Sequence, residues 1–264
     1  MGAYRLSPAD AASFERDGFF IAQNLFDEEE VRALFEITHA TLRDDPDRLV
    51  RHDADGNLTL LSLRNELGSD VFSATVRCER VAGTMAALLG GEVYHYHHKI
   101  MIKEPRVGGA WEWHQDYGYW YQNGCLWPDM ASCLIAITKA NLQNGWVEVV
   151  KGSHSLGRLD HVDVDDQVCA DPDRVEQVLK RLPVVPLELE PGDGAFFHAN
   201  LLHRSMKNTS EEARLSLINC YNTKRNDPFK EHHHPGYTPM ASLTDEAVLE
   251  AALLQLDRLQ GGPS

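Results

Sequence analysis

The sequence predicts a single, mainly β domain over residues 1–264 with flanking α-helices, and three observations lead there. From Glu92 to about residue 223, apolar and β-branched residues come in short runs separated by turns, as antiparallel sandwiches and barrels require. The segments on either side carry helical spacing and cap chemistry instead. Finally, no linker, internal repeat or low-complexity stretch divides the chain, whose length suits one large domain.

Taken in order, Ser7, Pro8 and Asp10 start a first helix with a hydroxyl cap, a proline at the first helical position and an acid facing the positive dipole end; Gly18 stops it. Phe19, Phe20 and Ile21 read as a short strand. Asp27 to Glu30 open a second helix, in which Val31, Leu34, Phe35 and Leu42 keep helical spacing until Pro46. Ala54 to Asn57 form a turn, and a third helix is expected from Ser69 toward Leu89, before Gly90 and Gly91. The strands that follow are read at 93–102, 132–138, 147–150, 184–189, 195–197 and 215–221. An amphipathic helix after Leu243, capped by Thr244, closes the chain.

Composition narrows the partners. Hydrophobic residues make up 43% and charged residues 25%, values of a globular protein that buries a core. Lys plus Arg number 25 against 40 Asp plus Glu, a formal charge of -15, which argues against nucleic acid and anionic membranes. The five cysteines are scattered without CxxC spacing, pointing to a reducing compartment. The start of the chain lacks a signal-peptide pattern, Gly2 lacks the Ser or Thr at position 6 needed for myristoylation, and no run is long enough to span a bilayer, so a cytoplasmic location is expected.

The chemistry concentrates in two segments. In Trp111 to Tyr117, an extended strand would turn His114 and Asp116 to one side, presenting an imidazole and a carboxylate to one metal. HxD alone is a weak signal. The second segment strengthens it: a turn at Pro191 to Gly194 launches a strand expected to end at His203, the polar run Lys207 to Glu212 returns the chain as a hairpin, and Arg214 starts the neighbouring strand. Two His and one carboxylate occupy one face of an iron coordination shell and leave positions open for dioxygen and a chelating cosubstrate, while a buried Arg offers a fork to a distal carboxylate.

With these residues, and with Phe14 to Phe19, Asn144, Gly145, Gly152 to His154, Phe197 and His198 in order, the chain resembles the phytanoyl-CoA dioxygenase family of Fe(II)- and 2-oxoglutarate-dependent oxygenases, which also contains ectoine hydroxylase. The resemblance implies a distorted double-stranded β-helix, the cupin-like jelly roll. It makes His114, Asp116 and His203 the catalytic iron ligands and Arg214, eleven residues after His203, the anchor of 2-oxoglutarate. Ser205 and Ser216 would support that anchor, and Trp120 would lie beside the cosubstrate. Because halogenating relatives replace the carboxylate with a small residue, Asp116 favours hydroxylation: O2 and 2-oxoglutarate are consumed, succinate and CO2 released, and a small-molecule metabolite modified at an unactivated C–H bond. Desaturation and cyclisation can start from the same chemistry and stay open, as does the oligomeric state. Ectoine is disfavoured because the segment after Asp116 departs from the ectoine hydroxylase pattern; the acidic balance weakens a CoA thioester.

Other signals have plainer readings. His95 and His97 are expected to share a strand face with Lys99, Met101 and Lys103, opposite Tyr96 and His98; His97 and Lys99 are candidates for the pocket lining rather than for metal. Tyr117 and Tyr119, in the aromatic-rich stretch from Trp111 to Trp127, are expected to wall a pocket for an apolar or cationic small molecule. His232, His233 and His234 are read as a surface loop and His154 as a turn residue. His198 is set aside as a ligand because five residues separate it from His203, which would put the rings on opposite faces of one strand. Two alternatives remain: a cupin-like metal enzyme using His95 and His97 without 2-oxoglutarate, and a catalytically silent β-sandwich binding module.

Overall fold

The computed structural model describes residues 4–42, 45, 48–53, 56–164 and 167–261. Helix α1 (Pro8–Asp17) begins where the Ser7 hydroxyl accepts the Asp10 N–H and ends at Gly18, which adopts φ 84° with the His154 ring packed where a side chain would go. Strand β1 (Phe19–Ala22) and helix α2 (Glu28–Thr41), the latter opened by a reciprocal capping box between Asp27 and Glu30, follow as expected. Pro46, Ala54 and Asp55, expected to end α2 and to form a turn, and Gly2 lie outside the described residues.

The N-terminal third is less purely helical than its periodicity suggests. Residues β2 (Arg48–His52) and β3 (Leu58–Arg64) form an antiparallel hairpin that extends the main sheet. The expected third helix is two, α3 (Val71–Arg77) and α4 (Glu79–Leu89), because Cys78 is extended at ψ 147° and bridges Leu243. Then come β4 (Val93–Lys103), β5 (Trp111–His114), α5 (Asp116–Trp120), β6 (Met130–Ala136) and β7 (Val147–Val150). A hairpin not anticipated from sequence, β8 (His161–Val164) with β9 (Gln167–Ala170), leads into α6 (Pro172–Leu179). The chain finishes with β10 (Val184–Leu187), β11 (Gly194–His198), β12 (His203–Ser205), β13 (Arg214–Thr223) and α7 (Ala247–Leu259). Helix α7 starts at Glu246 without a side-chain cap; Thr244 contributes its carbonyl, which accepts the Ala247 N–H.

Two antiparallel sheets face each other, one in the order β1-β11-β6-β13-β4-β3-β2 and the other β10-β7-β12-β5. Strict alternation divides the large sheet's side chains: Ile100, Ile102, Ile135, Phe196, Leu215 and Leu217 pack outward against the helices, while Leu134, Ala136, Ala195 and Phe197 pack inward against Val147, Val149 and Leu187 of the small sheet. This is the expected double-stranded β-helix. The expected strand ending at His203 is divided between the sheets: β11 belongs to the large one, the chain crosses over at residues 199–202, and β12 belongs to the small one. Residues 207–212 therefore carry the chain back across the cavity to β13 instead of closing a hairpin.

Candidate metal and cosubstrate site

The crossover between sheets brings the metal candidates together. His114 ends β5 and His203 begins the adjacent β12 as its direct partner, so their rings lie 4.1 Å apart between centroids. Asp116 is not on the strand as expected: Gln115 keeps the extended geometry (φ -114°, ψ 133°) that turns Asp116 to the same side, but Asp116 itself is the first residue of α5. One ligand atom from each of His114, Asp116 and His203 lies within 4.8 Å of the others, and all three residues are buried.

Each member is held by its neighbours. Nδ1 of His114 is 2.7 Å from the Glu112 carbonyl and Nδ1 of His203 is 2.9 Å from the Leu201 carbonyl, an arrangement that makes Nδ1 the donor and leaves Nε2 free to ligate. Burial pushes both imidazoles below their ordinary pKa, His114 well below it, so they are neutral, as ligation requires. The Ser132 hydroxyl donates to Oδ2 of Asp116 at 3.1 Å, and Lys99 Nζ lies 4.0 Å from Oδ1. Gln115, fully buried, locks the peptide between two of the candidates: its side-chain amide donates to the Gly157 and Asn200 carbonyls and its N–H to His161 Nε2. His161 packs so tightly over Gly118 that a Cβ there would collide with it. Sequence reading missed Ser132 and His161, for a serine in an apolar strand and a histidine in an unassigned loop carry no local signal.

Arg214 and Ser216 share the inner face of β13 with Ile218 and Cys220. Together with Leu134, Ala136, Val147 and Leu187 they line one narrow recess between the sheets. The Arg214 guanidinium donates to the Gly145 carbonyl, but its Nε and the Ser216 hydroxyl are buried without partners, and burial lowers the Arg214 pKa to about 10. Buried, unmatched donors at the end of an apolar recess fit a carboxylate on a short aliphatic chain. A three-ligand metal cluster and such a recess between the same two sheets fit a metal and a dicarboxylate. Ser205 lies two residues beyond His203 opposite Trp111 and Val147, and is not among the residues lining that recess. Trp120 packs edge-on against Tyr96 and His97.

Among the pocket candidates, the two tyrosines have committed hydroxyls: Tyr117 donates to the Cys125 carbonyl at 3.1 Å and Tyr119 to the Val168 carbonyl at 2.5 Å, its ring 5.7 Å from His114. His97 sits on the same face as Lys99, but His95 does not. A register shift opposite Cys220 and Tyr221 inserts a bulge at Tyr96, which turns His95 to the other side, where its Nε2 lies 3.0 Å from His98 Nδ1. The loop expected at the surface supplies His234, which is 9% exposed and stacks on His97 at 4.4 Å. His198 lies on another strand from His203, against Phe14 and His154, so sheet membership rather than strand parity separates the two. His154, as expected, serves its turn, its Nε2 lying 3.1 Å from the Glu15 carbonyl.

The comparisons with known proteins agree with this arrangement. A family model described as phytanoyl-CoA dioxygenase (PhyH) matches residues 14–216. The chain is 26% identical over 231 residues to the L-proline trans-4-hydroxylase of Streptomyces griseoviridis, covering 81% of this chain and 86% of the relative. It is 28% identical over 237 residues to the ectoine dioxygenase of Bordetella parapertussis, covering 84% and 77%. The crystal structure of EctD from S. alaskensis with 2-oxoglutarate and 5-hydroxyectoine superimposes with a TM-score of 0.76 at 22% identity, covering 90% of this chain and 88% of that one. The epimerase SnoN in complex with Fe3+, alpha ketoglutarate and nogalamycin RO has a TM-score of 0.71 at 21% identity, covering 90% and 96%. No helix among the described residues is long and apolar enough to cross a membrane. With a family match spanning most of its length, the chain belongs to the phytanoyl-CoA dioxygenase family.

Proposed function

We propose that the protein is an Fe(II)- and 2-oxoglutarate-dependent dioxygenase that hydroxylates an unactivated C–H bond of a small-molecule metabolite, releasing succinate and CO2. The observation that carries this reading is the convergence of His114, Asp116 and His203 on one buried point, with Arg214 and Ser216 on the inner face of the sheet opposite the two histidines. Bound iron supplies dioxygen activation and C–H cleavage. The protein supplies position and shelter.

His114 and His203 offer Nε2 lone pairs, and Asp116 offers one carboxylate oxygen while Ser132 restrains the other. Arg214 and Ser216 receive the distal carboxylate of 2-oxoglutarate, whose methylenes fit against Leu134, Ala136 and Val147. Ser205, at the end of β12, lies outside that recess and is assigned no contact with the cosubstrate. Lys99, beside Asp116, and His97 hold the substrate; Trp120, expected beside the cosubstrate, packs on His97, and Tyr117 and Tyr119 fix the helix that carries Asp116. The presence of Asp116 favours hydroxylation, since the family resemblance implies a small residue there in halogenating relatives. A cupin-like site on His95 and His97 finds no support, since the bulge at Tyr96 points them apart.

The test is an anaerobic incubation with Fe(II), 2-oxoglutarate and a metabolite extract, followed by identification of the retained ligand and its aerobic turnover. L-Proline, the substrate named for one relative, is the first pure compound to try. The expected result is iron-dependent conversion of 2-oxoglutarate to succinate, matched by one hydroxylated product. Protein that neither binds 2-oxoglutarate in the presence of Fe(II) nor forms succinate overturns the proposal.

A further inference from the structure

We propose that the substrate carries a carboxylate, received by Lys99 on the inner face of β4 and accompanied by a hydrogen bond to His97. This rests on the dioxygenase reading above and names the substrate class it acts on.

Charge is the first argument. Within the cavity Asp116 contributes one negative charge, and Arg214 and Lys99 one positive charge each. A divalent metal and a doubly charged cosubstrate would cancel one another, leaving one positive charge in excess, which an anionic substrate would match. Lys99 is where the excess resides. Its side chain is 24% exposed, and among the described residues its one acidic neighbour is Asp116, at 4.0 Å. Its cross-strand neighbours, Leu63 on β3 and Ile218 on β13, offer no counter-charge. Once Asp116 is committed to a metal, Lys99 keeps no acidic partner of its own among the described residues.

His97 is the second argument. It is 1% exposed, yet neither ring nitrogen has a hydrogen-bond partner. Packing holds the ring in place, with His234 stacked on it at 4.4 Å and Trp120 edge-on at 5.7 Å. A buried imidazole with both nitrogens open costs stability unless a ligand completes it. His97 and Lys99 are alternate residues on one strand, about 6.6 Å apart along it, a span bridged by a small carboxylic acid with a second polar group. Alternation alone sets His97 beside Lys99; the bulge at Tyr96 only turns His95 away from them.

The experiment compares matched acids and amides: L-proline with L-prolinamide, cyclopentanecarboxylate with cyclopentanecarboxamide, and benzoate with benzamide. Each is titrated against the protein loaded with Ni(II) and 2-oxoglutarate, which binds without turning over, and the shift in Tm is read. The expected result is that at least one acid stabilises at a concentration ten or more times lower than its amide, and that Lys99→Met removes the preference. H97Q weakens the same acid while keeping its preference over the amide. Equal response to acid and amide, no response to any acid, or a preference that survives Lys99→Met overturns the proposal. The visible charge-transfer band of the Fe(II) and 2-oxoglutarate complex separates the two readings. If wild type lacks the band, the dioxygenase reading fails; if Lys99→Met alone loses it, Lys99 serves the cosubstrate's carboxylate and the substrate assignment falls.

Discussion

At the Arg214 end of the cavity most of the lining sits on regular strands of two facing sheets, whereas at the His97 end a bulge, a helix that begins inside the site and a distant loop combine to form the wall. The first end is apolar with buried donors at its tip; the second is crowded with imidazoles and aromatic rings. The difference suits the two tasks proposed above for the two ends. A site for an invariant cosubstrate can be built from a strand ladder, since alternation alone holds Arg214 and Ser216 in register. A site that must suit one particular substrate draws on irregular segments, which can change without disturbing the ladder.

The largest expected effect lies between the two ends. Replacing His114 or Asp116 with Ala should abolish metal retention after gel filtration together with iron-dependent succinate formation; a variant that still couples the two would remove it from the ligand set. Next, Arg214→Ala should weaken 2-oxoglutarate binding by about 2 to 5 kcal/mol, as expected for loss of a buried charge-assisted pair, while leaving metal retention intact. An unchanged 2-oxoglutarate requirement would mean that the strand-built end is not the cosubstrate's. Smaller again, Ser132→Ala should lower metal affinity about 10- to 100-fold, the usual cost of losing a hydrogen bond to a ligating carboxylate. Metal titrations that match wild type would make that hydroxyl a packing group only.

The smallest effect concerns acid. Burial lowers His98 to about 4, His95 to about 3 and His234 to about 3, and His97 well below its ordinary value, so β4, on both its faces, and the loop over it are folded with neutral rings. In the unfolded chain these side chains take up protons near pH 6.5, before the folded protein does. Stability is therefore full above about pH 6.5 and falls as the pH drops toward about 4. Thermal melts should show Tm declining across that window, and hydrogen exchange should rise first in β4 and the loop around His234. Uniform exchange across both ends would contradict the contrast between them.

Much of this was legible in the linear chain. The strands around Arg214, Phe197 and Val147 announce themselves by alternation, and α1 and α2 by cap residues whose hydrogen bonds the fold contains. His114, Asp116 and His203 come together, although two reasons given for grouping them do not apply: Asp116 lies on a helix, and His198 lies in the other sheet. Local geometry sufficed for the first pair because Gln115 stays extended. What escaped were features without local periodicity, namely the β2–β3 hairpin, the break at Cys78 and the hairpin that delivers His161. The bulge at Tyr96 belongs with them, since nothing in the run Val93–Lys103 marks where pairing with β13 slips.

The amino-acid sequence by itself determined which side chains could serve as ligands, which short apolar runs would be strands, and where α1 and α2 would begin, because propensity and capping act over a few residues. Only the tertiary structure decided that Ser132 would restrain Asp116, that His234 would cover His97 and that His95 would turn away from both. Those outcomes depend on which strands pair, in which register, and on a crossing from one sheet to the other. They arise from contacts between residues far apart in the chain, which short-range preferences do not encode.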